Sequence, residues 1–424
     1  MTLVLDADLR PEEAAAALRN AGASRVVVTS RGRPVNAELL AALRRAGAEP
    51  FGIETVAVDG RRPEEAAVLV AAACAKLDAL PPDERGRPRI NGGAVSRRSL
   101  FSPGTMLTQT PVAVVDQSMC VGSARCGLCV EQCPEDAIAG SLPRPVVDPG
   151  ACTACGLCVP RCPSGALRLA GSATAQTEAQ LDELVKGVAG VVLACRTAAA
   201  TAPPGWGLVE LPTLALVTPG WILQLRTRGL DVRTQPCRDA RCAAGAEAAE
   251  AFAGLLANDV ARENGPVHLT EPQATVEVAR RLDRTGVLES DASPLGVVTL
   301  DAACCTLCGA CATACPTDAL RFDETPEETT VALRPGSCVA CGRCAAACPE
   351  HAVEVRRGLD FARLRRDSAE LAWAPRETCS ACGGLLPPKP MRRRLREILP
   401  ELADAPLGLC AACARLPLAA AQDY

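Results

Sequence analysis

Aromatic side chains and histidine are scarce in this sequence. Its 424 residues include five Phe, three Trp, one Tyr and two His. A hydrophobic interior must therefore be built from small aliphatic side chains, and imidazole acid–base chemistry has little to draw on. Long apolar runs are also missing. The best stretch, Leu208 to Leu225, is broken by Glu210, Pro212 and Pro219, which argues against a membrane-spanning helix. There is no P-loop, no H-E-x-x-H and no arrangement of Ser, His and Asp that suggests a hydrolase. The opening Met1-Thr-Leu-Val-Leu-Asp-Ala-Asp lacks the basic region and long apolar run of a signal peptide. A formal net charge of −4 gives no general case for nucleic-acid binding.

What the sequence has is cysteine, in 25 copies. In the cytoplasmic chain expected here, thiols stay reduced and are available as metal ligands. Three runs share one spacing, C-x2-C-x2-C-x3-C-P: Cys152, Cys155, Cys158 and Cys162; Cys305, Cys308, Cys311 and Cys315; Cys338, Cys341, Cys344 and Cys348. A fourth is stretched, Cys120-x5-Cys126-x2-Cys129-x3-Cys133-Pro134. Three thiolates on a tight loop reach three irons of one [4Fe–4S] cubane, and the fourth, past a turn and before Pro, ligates the partner cluster. The crossed rule gives four ligand sets. They are Cys120, Cys126, Cys129 with Cys162; Cys152, Cys155, Cys158 with Cys133; Cys305, Cys308, Cys311 with Cys348; and Cys338, Cys341, Cys344 with Cys315. Gly156, Gly309 and Gly342 let the backbone wrap closely and aim N–H groups at sulfur. Arg125, inside the stretched run, is expected to raise that cluster's potential; the alternative there is a lost or [3Fe–4S] cluster. Cys304 is read as a bystander beside Cys305. His351 is read as a turn residue or cluster tuner, and His268 as exposed. Residues 112–170 and 296–357 thus resemble two-cluster bacterial ferredoxins, within a nested internal repeat.

The remaining sequence reads as α/β. Strands are expected at Ser24–Ser30, Phe51–Val58 and Gly190–Cys195. Helices are expected over Asn36–Ala46, Pro63–Leu80, Pro219–Gly229 and Ala243–Ala261, with a basic helical segment around 359–371. Residues 178–290 resemble the delta subunit of methyl-viologen-reducing hydrogenase, which docks on the A subunit of heterodisulfide reductase. The likeness rests on Cys195 at a strand end, the helix start Thr218-Pro219-Gly220-Trp221-Ile222-Leu223, and Cys237-x4-Cys242. It implies a [2Fe–2S] cluster held by cysteines of this region. The chain departs from that pattern: Thr213 stands where another cysteine is usual, and Arg196 to Thr201 contains none. Cys195, Cys237 and Cys242 thus leave open a [2Fe–2S] site, a thiol-based redox site, or a degenerate docking domain with residual thiols. Residues 51–73 resemble the end of the flavin domain in heterodisulfide reductase A subunits. No G-x-G-x-x-G follows a strand, so FAD is not expected, and Cys74 is read as a small buried hydrophobe.

Two C-x2-C knuckles, Cys379/Cys382 and Cys410/Cys413, flank a basic stretch from Met391. They suit a structural zinc ion in a tail with little core, with a rubredoxin-type iron as the alternative. The expected fold is a multidomain α/β and α+β chain. It comprises a small α/β domain (1–95), a linker (96–111), a 2[4Fe–4S] ferredoxin module (112–170), a second small α/β domain (178–290), a second ferredoxin module (296–357) and a zinc-ribbon-like tail (374–424). The expected function is an electron-transfer subunit of a hydrogenase- or heterodisulfide-reductase-like complex, partnered by flavoprotein, hydrogenase or reductase subunits. The alternatives are a thiol/disulfide reductase working at Cys195, Cys237 and Cys242, and a regulatory or nucleic-acid-binding protein using the zinc tail.

Overall fold

β-Branched runs alternate with Ala- and Leu-rich stretches near the N-terminus, and the computed structural model folds them as a three-stranded parallel sheet. It describes residues 1–31, 35–81, 112–140, 143–256, 262, 265–399 and 406–414; the linker expected over 96–111 lies outside them. The sheet order is β1 (Thr2–Asp6), β2 (Arg25–Ser30), β3 (Ile53–Ala57), connected through α1 (Pro11–Ala21) and α2 (Ala37–Arg45) and followed by α3 (Pro63–Asp78). The strand period of two sorts β2 between helices: Val26 and Val28 pack with Leu18, Leu39 and Leu43, whereas Val27 packs with Ala73 and Leu77. Helices on both faces are what an all-parallel sheet requires. Each fully buried Leu there contributes about 1.5–3 kcal/mol relative to exposure.

The first cysteine-rich segment is built on two small antiparallel pairs. β4 (Ala113–Val115) pairs with β7 (Leu167–Leu169), and β5 (Ile138–Ala139) with β6 (Val146–Val147); α4 (Leu128–Gln132) lies between. A second parallel sheet follows α5 (Thr174–Leu184), with order β10-β8-β9: β8 (Gly190–Cys195), β9 (Trp206–Leu211), α6 (Pro219–Thr227), β10 (Asp231–Gln235), α7 (Ala240–Leu256) and α8 (Gln273–Ala279). Every residue of β8 is buried, as befits a central strand. Helices α3 and α5 pack together, and the Arg61 guanidinium donates to the carbonyls of Ala202 and Pro203 at 2.9 and 2.8 Å. These elements belong to one compact unit, Met1–Leu282.

The other unit, Asp283–Tyr424, is antiparallel. β11 (Val287–Glu289) and β12 (Gly296–Leu300) flank β15 (Val353–Asp360), while β14 (Glu328–Leu333) lies between β13 (Leu320–Glu324) and β16 (Ala369–Pro375). Short helices α9 (Ala310–Thr313) and α10 (Arg343–Ala346) follow the cysteine loops. The helix expected around 359–371 is not formed. That stretch is the end of β15, one turn α11 (Phe361–Leu364) and the start of β16. The reason lies in Ala369-Glu-Leu-Ala-Trp-Ala-Pro, where Ala369, Ala372 and Ala374 are buried against β14 and Glu370 and Trp373 are exposed. α12 (Lys389–Ile398) separates the two C-terminal knuckles. Among the described residues, no helix is long and apolar enough to cross a membrane.

Candidate metal centres

The four cysteine runs share one backbone signature. The second residue after the first cysteine has positive φ in each run: Gly122 at 95°, Ala154 at 58°, Leu307 at 56° and Ala340 at 53°. The glycine after the second cysteine repeats it: Gly127 at 67°, Gly156 at 80°, Gly309 at 74° and Gly342 at 75°. The third residue after the fourth cysteine does so again, at Asp136, Gly165, Asp318 and His351. Left-handed backbone costs a non-glycine residue about 1–2 kcal/mol, and every run holds at least one such residue at a registered position, which indicates a demanded loop shape. The shape turns N–H groups toward sulfur. Gly122 donates to Cys120 Sγ at 3.4 Å, Leu307 to Cys305 Sγ at 3.4 Å, Ala137 to Cys133 Sγ at 3.3 Å and Ala352 to Cys348 Sγ at 3.3 Å. Such bonds favour anionic sulfur and tune whatever it ligates. The stretched run keeps the whole signature, so the three inserted residues are absorbed between Gly122 and Cys126.

The loops gather thiols across runs. One hollow is lined by Cys120, Cys126, Cys129 and Cys162, and another by Cys133, Cys152, Cys155 and Cys158. Burial pushes the Cys129 thiol up to about 11, with Cys162, Cys126 and Cys120 adding to it. Burial likewise pushes Cys158 up to about 12, with Cys155, Cys152, Cys129 and Cys133 as neighbours. In the second unit, burial drives Cys311 to about 11, beside Cys305, Cys308 and Cys348. It drives Cys344 to about 12, beside Cys338, Cys341 and Cys315, with Cys311 next. Thiols packed this way resist ionising on their own, and a bound cationic core removes the penalty. Cys304 stands apart: it is exposed, and its thiol bonds to Asp301 while Cys305 turns inward.

The known family whose profile spans residues 304–352 is the 4Fe–4S dicluster domain, and the 4Fe–4S binding domain matches residues 145–168. The chain carries two ferredoxin-type 4Fe–4S domains. The match over 145–168 takes in the Cys152–Cys162 run but not the stretched one, while the match over 304–352 takes in both runs of its segment. No curated protein registers as a match to the chain. In both ferredoxin-type domains the core is partly made of the cysteines themselves. Cys129 and Cys158 pack with Ile138, Leu167, Leu169 and Leu216, and Cys311, Cys315, Cys338 and Cys344 pack with Val331, Leu333 and Val353.

Two other groups of cysteines converge more tightly. The Sγ atoms of Cys379, Cys382, Cys410 and Cys413 all lie within 4.8 Å of one another, and so do those of Cys195, Cys237 and Cys242. In the first group Gly383, with φ of 73°, closes the knuckle, and the Cys410 N–H reaches Cys379 Sγ at 3.3 Å. N–H bonds from Cys410, Cys382 and Ala381 hold Cys379 down at about 6, whereas Cys413, hydrogen-bonded to the other three thiols, is raised to about 12. The quartet fits one tetrahedral metal ion with thiolate ligands. In the second group, Cys195 ends β8, Cys237 follows β10, and Cys242 lies in the first turn of α7. This group adjoins the first ferredoxin-type domain. A Cβ on Gly156 would stand 2.6 Å from Thr213 Cγ2, the Leu214 N–H donates to Cys242 Sγ at 3.2 Å, and Arg241 pairs with Glu135 at 2.9 Å.

Sequence reasoning overlooked Gly127, although it occupies the position already singled out in the other three runs. It also missed Ala154, Leu307 and Ala340, whose left-handed backbone no residue type advertises. The Thr197 hydroxyl, 3.3 Å from Cys195 Sγ, had no sequence signal either. His351 forms the turn after Cys348, donating its N–H to the Cys348 carbonyl, and His268 is exposed.

Proposed function

We propose that the protein is an electron-transfer subunit carrying four [4Fe–4S] clusters, two in each ferredoxin-type domain, held by the crossed ligand sets. Cys120, Cys126, Cys129 and Cys162 hold the first, and Cys152, Cys155, Cys158 and Cys133 the second. Cys305, Cys308, Cys311 and Cys348 hold the third, and Cys338, Cys341, Cys344 and Cys315 the fourth. The observation that carries this reading is the gathering of three thiols of one run with the fourth of its neighbour, repeated in both units on one backbone signature. Each cluster supplies one-electron chemistry at low potential. The protein supplies N–H bonds that set the potential and a packed aliphatic shell that keeps water away.

The C-terminal quartet takes a structural zinc ion, which replaces the core that a short tail cannot build. The parallel sheets around β2 and β8, and the likeness to hydrogenase delta and heterodisulfide reductase A subunits, suit a chain that docks with other oxidoreductase subunits. Nothing in the sequence supplies a flavin cradle or an acid–base pair, so donor and acceptor chemistry falls to those partners. Anaerobic coulometric titration tests the relay: uptake of about four electrons per chain, one per cluster, is expected. Uptake near zero by the iron-loaded protein would overturn it.

A further inference from the structure

We propose that Cys195, Cys237 and Cys242 form a mononuclear metal site with three thiolate ligands and an open fourth position, taking a thiophilic cation such as Zn²⁺, Fe²⁺ or Cu⁺. The geometry distinguishes this from a two-iron cluster. Metal–thiolate bonds of about 2.3 Å in a tetrahedral site put sulfurs about 3.8 Å apart, and all three Sγ atoms lie within 4.8 Å of one another. The C-terminal quartet shows the same spacing. A two-iron cluster instead needs its ligands in two pairs, spread along the metal–metal direction, and it needs four anchors. No fourth cysteine joins the group among the described residues; positions 196–201 and 213 carry none. A disulfide switch would use two of the sulfurs and leave the third without a role.

The position in the fold agrees. The order β10-β8-β9 places the first strand of this sheet at its centre, with the later strands on opposite edges. Cys195 ends β8 and Cys237 lies just past β10, at the carboxyl ends of the strands, the crevice where open α/β sheets bind ligands. Surrounding groups orient the sulfurs as the second layer of a metal site does. The Leu214 N–H donates to Cys242 Sγ, the Cys195 thiol reaches the Pro212 carbonyl at 3.5 Å, and the Thr197 hydroxyl bonds to both Cys195 and Cys237. Cys195 and Cys242 are each 2% exposed and Cys237 is half-buried, so water or a small ligand reaches the group on the Cys237 side. Soft sulfur ligands select thiophilic cations over Mg²⁺ or Ca²⁺. Through Leu214 and Thr213, which touches Gly156 between Cys155 and Cys158, the site is linked to the first ferredoxin-type domain.

The test compares metal and acid-labile sulfide in the full chain, purified anaerobically from cells supplied with iron and zinc, with the same measurements on Cys237→Ala and Cys195→Ser. Each variant is expected to lose about one metal ion per chain with sulfide unchanged, because a thiolate site holds no inorganic sulfide. Loss of about two irons together with about two sulfides would show a binuclear cluster and overturn the proposal. Unchanged metal content would overturn it as well. Cys237 lies in a half-buried loop position, so Cys237→Ala decides the matter even where Cys195→Ser does not fold. The EPR signals of the reduced four-iron clusters report separately on the relay.

Discussion

Cys304 and Cys305 are neighbouring thiols with opposite surroundings: one is exposed and bonded to Asp301, the other half-buried and turned toward Cys308 and Cys348. Cys304→Ser should therefore leave iron content and EPR unchanged, whereas Cys305→Ser should lower iron and remove one cluster's signal. Equal losses from both would contradict the assignment. Gly156 and Gly342 make a second matched pair. Both have positive φ, but a Cβ on Gly156 would meet Thr213 at 2.6 Å while one on Gly342 meets nothing within 4 Å. Gly342→Ala should cost about 1–2 kcal/mol from backbone strain alone, and Gly156→Ala about 1–3 kcal/mol more from overpacking. Denaturant unfolding of the loaded proteins would show it. At this scale the loop shape of the cysteine runs was legible because C-x2-C-x2-C-x3-C-P encodes it. The left-handed Ala154, Leu307 and Ala340 were not, since only the closing of the loop imposes that conformation on an ordinary residue.

Among the elements, α6 carries a carboxylate at its start. Glu271 Oε1 accepts from the Gly220 N–H at 2.9 Å, the Thr218 hydroxyl at 2.8 Å and the Thr275 hydroxyl at 2.9 Å, while Oε2 is buried without a hydrogen bond. Burial raises its pKa above the ordinary carboxyl range. A raised carboxyl contributes stability below its unfolded value, about 4.3, and loses it as pH climbs through the folded value. Glu271→Gln keeps one acceptor oxygen and no charge, so its stability relative to the parent should be greater at pH 8 than at pH 4. Thermal melts at both pH values check the sign; a constant offset would contradict it. The tail knuckles make a further case. Stripping metal with a strong chelator should open the knuckles at Cys379/Cys382 and Cys410/Cys413 alone, seen as new protease cleavage beside them, with Cys410→Ala giving the same pattern. Some elements were legible: the Val-rich β2 and β8 and the helices α2, α3 and α6 follow their apolar periodicity. β1 and α1 escaped notice because Thr2–Asp6 is a five-residue edge strand whose pairing partner lies beyond α1. The start of β16 falls within the helix expected around 359–371 because its period-two burial depends on β14, more than 35 positions earlier in the sequence.

At the scale of the whole molecule, one loop shape built four times in two compact units accounts for most of the cysteine content. The packing between α3 and α5, and the contact of Thr213 with Gly156, fix the first ferredoxin-type domain among two parallel sheets. None of that placement was readable from composition, because it rests on single close contacts between distant segments. The number of clusters per chain is tested most directly by anaerobic iron and acid-labile sulfide analysis with EPR of the reduced chain. Four [4Fe–4S] clusters predict about 16 sulfides and at least about 16 irons per chain, with signals from interacting reduced clusters. A result near eight of each, or a reduced protein without such signals, would contradict the account.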